Sequence, residues 1–165
     1  MVATTGSIIK DFKFFSQNIR KNSFIIHTIL EIHYDFNITF IQELSWTTLQ
    51  SVSSSKNKEE KELVRVLSHP NWTTFARSLS VKDNYPHVVS YINIKLLPLH
   101  FSLHNDIFNH RDILLIFFFN NNSLFYLINI YSDSSQTALK YLKNTKVNIN
   151  NVFIITGDFN IYDSL

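Results

Sequence analysis

At 165 residues, with 45% hydrophobic and 15% aromatic side chains, the chain has the length of one domain and enough apolar material to close a core, which excludes a disordered tail. Fifteen lysines and arginines against thirteen acids leave a net charge of +2, too small to mark a strongly basic nucleic-acid binder, although a phosphate-rich partner is compatible with it. With no cysteine there is no disulfide framework and no thiolate metal site, which fits an intracellular protein, the nucleus included.

In chain order, residues 1–16 lack the basic-then-apolar layout of a signal peptide, and no apolar run approaches the ~18 residues that cross a bilayer, so no membrane partner is expected. Residues 12–19 are apolar and β-prone. Asn22 and Ser23 offer an N-cap for a helix in which Ile25, Ile26, Ile29 and Leu30 repeat with helical spacing, ending near residues 34–37. Residues 38–42 read as a second strand closed by Glu43, so the first forty-odd residues form a βαβ unit.

Residues 51–62, with SSSKNKEEKE at their centre, read as a solvated loop without chemistry. Short strands follow at 64–67, 72–76 and 88–94, and their close spacing predicts antiparallel pairing. Residues 101–103 and 113–119 continue the pattern; the latter is the most apolar stretch and predicts a buried strand. Asn120, Asn121, Asn122 and Ser123 make a hairpin turn into a strand over 124–131. Asp133 and Ser134 can cap a helix that buries Ala138, Leu139 and Leu142, and residues 152–155 form the last strand. With only two glycines, turns fall to Asn, Asp, Ser and Pro. Three Asn-X-Ser/Thr triplets, at Asn37, Asn71 and Asn121, are chance matches in an asparagine-rich chain without a secretion signal.

Four strand ends carry polar residues that the apolar runs do not need: Asn18, Glu43, Tyr131, and the pair Asp158 and Asn160. On an extended chain residues i and i+2 share a face, so Asp158 and Asn160 can point into one site. Phosphodiester hydrolysis needs a hard cation on carboxylate and amide oxygens, a base for water, and donors for the charge that gathers on phosphoryl oxygens. These residue types supply that set. Each alone has a plainer reading: a solvated glutamate, a capping asparagine, a packed tyrosine, an Asx turn at Gly157-Asp158-Phe159-Asn160.

Ser16-Gln17-Asn18, Phe40-Ile41-Gln42-Glu43, Asn129-Ile130-Tyr131-Ser132 and Thr156-Gly157-Asp158-Phe159-Asn160 together resemble, in order, the motifs of the endonuclease/exonuclease/phosphatase superfamily, the DNase I-like proteins. The wording around His69-Pro70-Asn71-Trp72 and Tyr131-Ser132-Asp133-Ser134-Ser135 is most similar to endonuclease domains of fungal non-LTR retrotransposons. The resemblance implies an α/β two-sheet β-sandwich flanked by helices, with residues 1–165 as the N-terminal part of such a domain, incomplete at its C-terminus. It implies Mg2+, or Mn2+ in its place, on Glu43 with help from Asn18. Tyr131 and Asn160 would bind the scissile phosphate, and Asp158 would orient or deprotonate water, so that Asp158, Asn160 and Tyr131 are the catalytic set.

Related domains carry a late Asp-His pair that this sequence lacks, and none of its seven histidines stands in the matching position. His27 and His33 fall on the first helix as surface or packing residues. His87 stands where the resemblance implies arginine; a rim histidine is the plainer reading and a substitute phosphate contact the sharper one. A missing second half would also leave the strand at 113–119 partly uncovered.

The expected function is therefore a Mg2+-dependent phosphodiester hydrolase domain. It would be a retroelement-type DNA endonuclease, with a downstream reverse transcriptase as partner in a parent element, weak or inactive as this fragment. The alternative is a degenerate, non-catalytic remnant that binds nucleic acid or protein. A phosphatase or small-molecule phosphodiesterase is a third reading, since loops set substrate choice.

Overall fold

The computed structural model describes residues 12–22, 24–44, 50–52, 63–65, 68–77, 85–96, 100–104, 107–120, 123–145 and 152–159. Strands β1 (Phe14–Asn18), β2 (Ile38–Gln42), β5 (Trp72–Ala76) and β6 (Val88–Asn93) form one sheet in the order β1-β2-β6-β5. A second sheet has the order β10-β9-β8-β7, from β7 (Phe101–Leu103), β8 (Ile113–Asn120), β9 (Ser123–Tyr131) and β10 (Val152–Asp158). In both sheets the first-named pair is parallel and the others antiparallel. A parallel pair cannot be joined by a tight hairpin, and each is joined here through a helix: α1 (Phe24–Ile32) between β1 and β2, α2 (Thr137–Asn144) between β9 and β10. The two sheets are thus built alike, although the sequence has no internal repeat.

Alternation of side chains along the strands separates the layers. Ile38, Phe40, Val88 and Ile92 of the first sheet meet Leu114, Ile116, Phe118 and Leu127 of the second. The opposite faces are closed by helices: Ile41, Val89 and Tyr91 lie under Ile26, Ile29 and Leu30 of α1, and Ile113, Leu115, Ile128 and Ile130 pack with Phe108 and with Ala138 of α2. Each fully buried side chain of this size contributes about 1.5–3 kcal/mol of transfer free energy. The result is an α/β sandwich of two four-stranded mixed sheets flanked by two helices, consistent with the DNase I-like architecture.

Several sequence expectations need correction. The strand expected at 64–67 is β4 (Leu63–Arg65), and it pairs with β3 (Gln50–Val52) instead of joining the main sheet. Residues 51 and 52, expected in a solvated loop, belong to that hairpin; residues 53–62 lie outside the described residues. α1 stops at Ile32, followed by turns, and β10 runs three residues beyond Ile155. The apolar strand β8 is covered on both faces, by the first sheet on one and by the Phe108 and α2 cluster on the other, and Phe119 is its exposed large apolar residue. β10 is paired on one side among the described residues, and Val152 and Ile155 are exposed on it.

A buried polar tie crosses the sandwich. Asn129 Nδ2 donates to the carbonyls of Val89 (2.9 Å) and Ile41 (3.3 Å) and to Ser90 Oγ (3.3 Å), while its Oδ1 accepts from Gln42 Nε2 at 2.7 Å. Gln42 Nε2 also reaches Ser16 Oγ at 3.1 Å. Fully satisfied, such a network fixes the register of one sheet over the other, and it lies one residue before Glu43 and two before Tyr131.

Burial pushes the Tyr91 phenol well above the ordinary range near pH 10. Above that range the unfolded chain releases a proton that the folded chain retains. The unfolded state then binds fewer protons, so stability falls as pH rises. The unfolding free energy from denaturant titration is expected to drop between about pH 10 and 11.5, by up to ~1.4 kcal/mol per pH unit from this group. Tyr91→Phe should flatten that slope when both proteins are titrated in parallel.

Candidate functional site at one rim of the sandwich

The parallel edge pair of each sheet ends at the same rim. β1 ends at Asn18, opposite Gln42 of β2, and β10 ends at Asp158, opposite Tyr131 of β9. Across the two sheets Asn18 Nδ2 donates to Asp158 Oδ2 at 2.5 Å, and Asn18 Oδ1 accepts from the Arg20 backbone N–H at 2.8 Å. Both ends of the amide are therefore oriented, and the amide in turn orients the carboxylate. Ser132 N–H donates to the Asp158 carbonyl at 2.8 Å, which keeps the outgoing chains of β9 and β10 together.

Glu43 follows β2 with φ of 55°, a left-handed conformation that costs a non-glycine residue on the order of 1–3 kcal/mol. Its carbonyl accepts from Lys21 N–H at 2.8 Å, and the next amide, Leu44 N–H, donates to the His87 carbonyl at 3.1 Å. The kink is thus pinned on both sides, from the β1–α1 connection and from the entry to β6.

His87 is the residue whose role the sequence left most open. Its Nδ1 lies 2.6 Å from Asp112 Oδ1, with side-chain exposure of 13% for the histidine and 1% for the aspartate. Asp112 also receives Arg111 Nε at 3.4 Å, and its backbone carbonyl accepts from Tyr131 N–H at 2.9 Å. The His87 ring stands edge-on to Tyr131, with centroids 5.5 Å apart and an interplanar angle of 73°. The fold thus forms a histidine–aspartate pair from the middle of the chain. No local pattern could have shown it: the partners are 25 residues apart and precede strands of different sheets, β6 and β8.

Tyr131 registers the charge gathered here. Its phenol is pushed above its ordinary value by burial first, then by the negative charges of Glu43, Asp112, Asp133 and Asp158. Glu43 and Asp158 therefore act on one hydroxyl, which stays protonated and able to donate at neutral pH. For Asp133, burial acts upward, but hydrogen bonds from the Thr137 backbone and hydroxyl, with Arg111 nearby, hold the carboxyl below the usual range. Asp133 Oδ1 accepts from Thr137 N–H at 3.1 Å and so binds the first turn of α2, but the N-cap position expected at Asp133 or Ser134 is taken by Gln136, which makes no side-chain cap bond.

Of the five residues singled out from the sequence, Asn18, Glu43, Tyr131 and Asp158 are thus brought to this rim; Asn160 lies outside the described residues. A separate cluster was not anticipated. His27, Glu31 and His69 offer ligand atoms within 4.8 Å of one another and could coordinate a divalent metal. His27 is exposed, as expected of the first helix, but its pairing with a histidine 42 residues away again has no local signature.

Fold and rim together define an α/β sandwich with a carboxylate-rich strand-end site. No protein-family model matches the chain, and no curated protein does. Among solved structures there is a weak, partial match to the endonuclease domain of TRAS1, a telomere-specific non-LTR retrotransposon. The identity is 10% and the TM-score 0.45, over 80% of this chain and 51% of that one, so this chain spans about half the length of the TRAS1 domain. A likeness that distant carries no argument about chemistry, which has to come from the site itself.

None of the described helices is long and apolar enough to cross a membrane.

Proposed function

We propose that this chain is a Mg2+-dependent phosphodiester hydrolase domain of the retroelement endonuclease type, with DNA as substrate and a nuclear place of action. The observation that carries the reading is the convergence of Asn18, Glu43, Tyr131, Asp158 and the His87–Asp112 pair on one rim, from six separate places in the chain. The donor set suits a hard divalent ion: the carboxylate oxygens of Glu43 and the remaining lone pair of Asn18 Oδ1, with the Asp158 carboxylate beside them. Bound there, Mg2+ supplies positive charge for the phosphoryl oxygens and lowers the pKa of water.

The chain's own groups divide the remaining work. Asp158, held by the Asn18 amide, orients the attacking water and takes its proton. Tyr131, kept neutral, donates to a non-bridging phosphate oxygen, as does Asn160 in this reading. An ionised Asp112 requires the proton on His87 Nδ1, which leaves Nε2 to exchange a proton with the substrate.

The test is nicking of supercoiled plasmid with Mg2+, with EDTA, and with the Glu43→Ala and Asp158→Ala variants. Loss of nicking in all three controls is the expected result. Equal cleavage by wild type and both variants would assign it to a contaminant and leave the non-catalytic, nucleic-acid- or protein-binding remnant as the better reading.

A further inference from the structure

We propose that His27, Glu31 and His69 form a second metal site, selective for a zinc-class ion, that fastens α1 to the turn entering β5 and serves stability instead of the rim chemistry. His27 and Glu31 stand four residues apart on α1, hence on one helix face, with side-chain exposures of 61% and 57%. His69 comes from the other element and is 1% exposed, its Nε2 aimed at Glu31 Oε1 3.1 Å away. His27 Nε2 is 3.9 Å from the same oxygen. The two elements are already fixed to each other: Trp72 Nε1 donates to the Leu30 carbonyl at 3.1 Å, and Trp72 N–H to the His69 carbonyl at 3.1 Å. The two exposed ligands on α1 can thus rotate to close on an ion, and the third is preset.

Ligand chemistry selects the metal. Two imidazoles and one carboxylate match Zn2+ and its transition-metal neighbours, with a water in the fourth position, whereas Mg2+ prefers oxygen ligands throughout. Tetrahedral bonds of about 2.0–2.2 Å place ligand atoms roughly 3.3–3.6 Å apart, so the observed spread within 4.8 Å needs small side-chain rotations. One exchange is required. His69 Nδ1 accepts from Asn71 N–H at 3.2 Å, so without metal Nε2 bears the ring proton and donates to Glu31. On binding, that proton moves to Nδ1, the ring stays neutral, the Nε2 lone pair goes to the ion, and the long Asn71 contact is released. Glu31 also borders an open cleft of about 390 Å3 with Tyr34, Asn71 and Lys95, which gives an ion access from solvent.

The experiment is thermal unfolding of the whole chain with Zn2+, with Mg2+ and with EDTA, together with equilibrium dialysis of Zn2+. At a hundredfold excess over its dissociation constant Zn2+ is expected to raise Tm by about 5–10 °C, with one ion retained per chain at this site. Any rise that Mg2+ gives through the rim should be unchanged by His27→Ala and Glu31→Gln. His27→Ala and Glu31→Gln alter exposed side chains, keep the EDTA melting point near that of wild type, and should abolish the Zn2+ increment; Glu43→Ala should retain it. An absent increment in wild type, or an equal one in His27→Ala, overturns the proposal whatever the outcome at the rim.

Discussion

Replacing His87 by alanine is expected to lower Mg2+-dependent nicking by a hundred- to a thousandfold while leaving the Mg2+ midpoint unchanged, because the metal-holding carboxylate of Glu43 is untouched. The magnitude is that of a positioned acid–base group, about 10²–10⁴ in rate. Asp112→Asn should approach the same loss without removing the ring. An amide offers the histidine either a donor or a weaker acceptor, so the proton need no longer sit on Nδ1 and Nε2 loses its assigned role. If the two residues act as a unit, the double variant falls little further than either single one. Thermal melts separate this from damage to the fold, since Asp112 is buried and also faces Arg111. Nicking by folded His87→Ala at the wild-type rate would reduce the pair to a structural contact.

A second large effect is expected at Gly157, on stability. This glycine has φ of 154° and lies opposite Ile130 in the parallel pair of β10 and β9. A Cβ built there would meet the Ile130 carbonyl oxygen at 1.9 Å and its carbon at 2.8 Å, both of them backbone atoms that a rotamer change cannot move. Gly157→Ala must therefore push β10 away from β9 or distort its own dihedrals. The expected loss is about 3 kcal/mol or more, seen as a Tm lower by roughly 6–12 °C. Asp158 would move with the strand and lose the Asn18 amide, so nicking should fall further than the melting point alone explains. Ile155→Ala, half-exposed on the same strand, is the control and should change stability by less than about 1 kcal/mol. A Gly157→Ala variant as stable as this control would show that the strands separate freely there.

Much of this protein was legible in its residues because the features concerned are local. Alternation and β-branching gave β2 and β5 their bounds, and the 3.6-residue spacing of Ile25, Ile26, Ile29 and Leu30 gave α1. Polar residues at apolar strand ends marked Asn18, Glu43, Tyr131 and Asp158 as a set, because an apolar run has no use for them. Which strands are neighbours was not local information. Residues 51 and 52 looked like the start of a solvated loop, and the strand expected at 64–67 gave no sign of its partner, since a three-residue pairing leaves too short a pattern to read. β8 was expected to lie partly bare, because the cover supplied by the first sheet and by Phe108 becomes visible only once the sheets stack.

Side-chain chemistry at spacings shorter than one helix or strand was enough to mark most of the elements and to single out Asn18, Glu43, Tyr131 and Asp158. Tertiary structure alone decided the partners: His87 with Asp112, Asn18 with Asp158, His69 with the exposed face of α1. Those contacts join residues 25 to 140 positions apart. Their geometry is set by sheet order and by the stacking of one sheet on the other, a balance of burial summed over the whole core, and no short stretch of chain contains it.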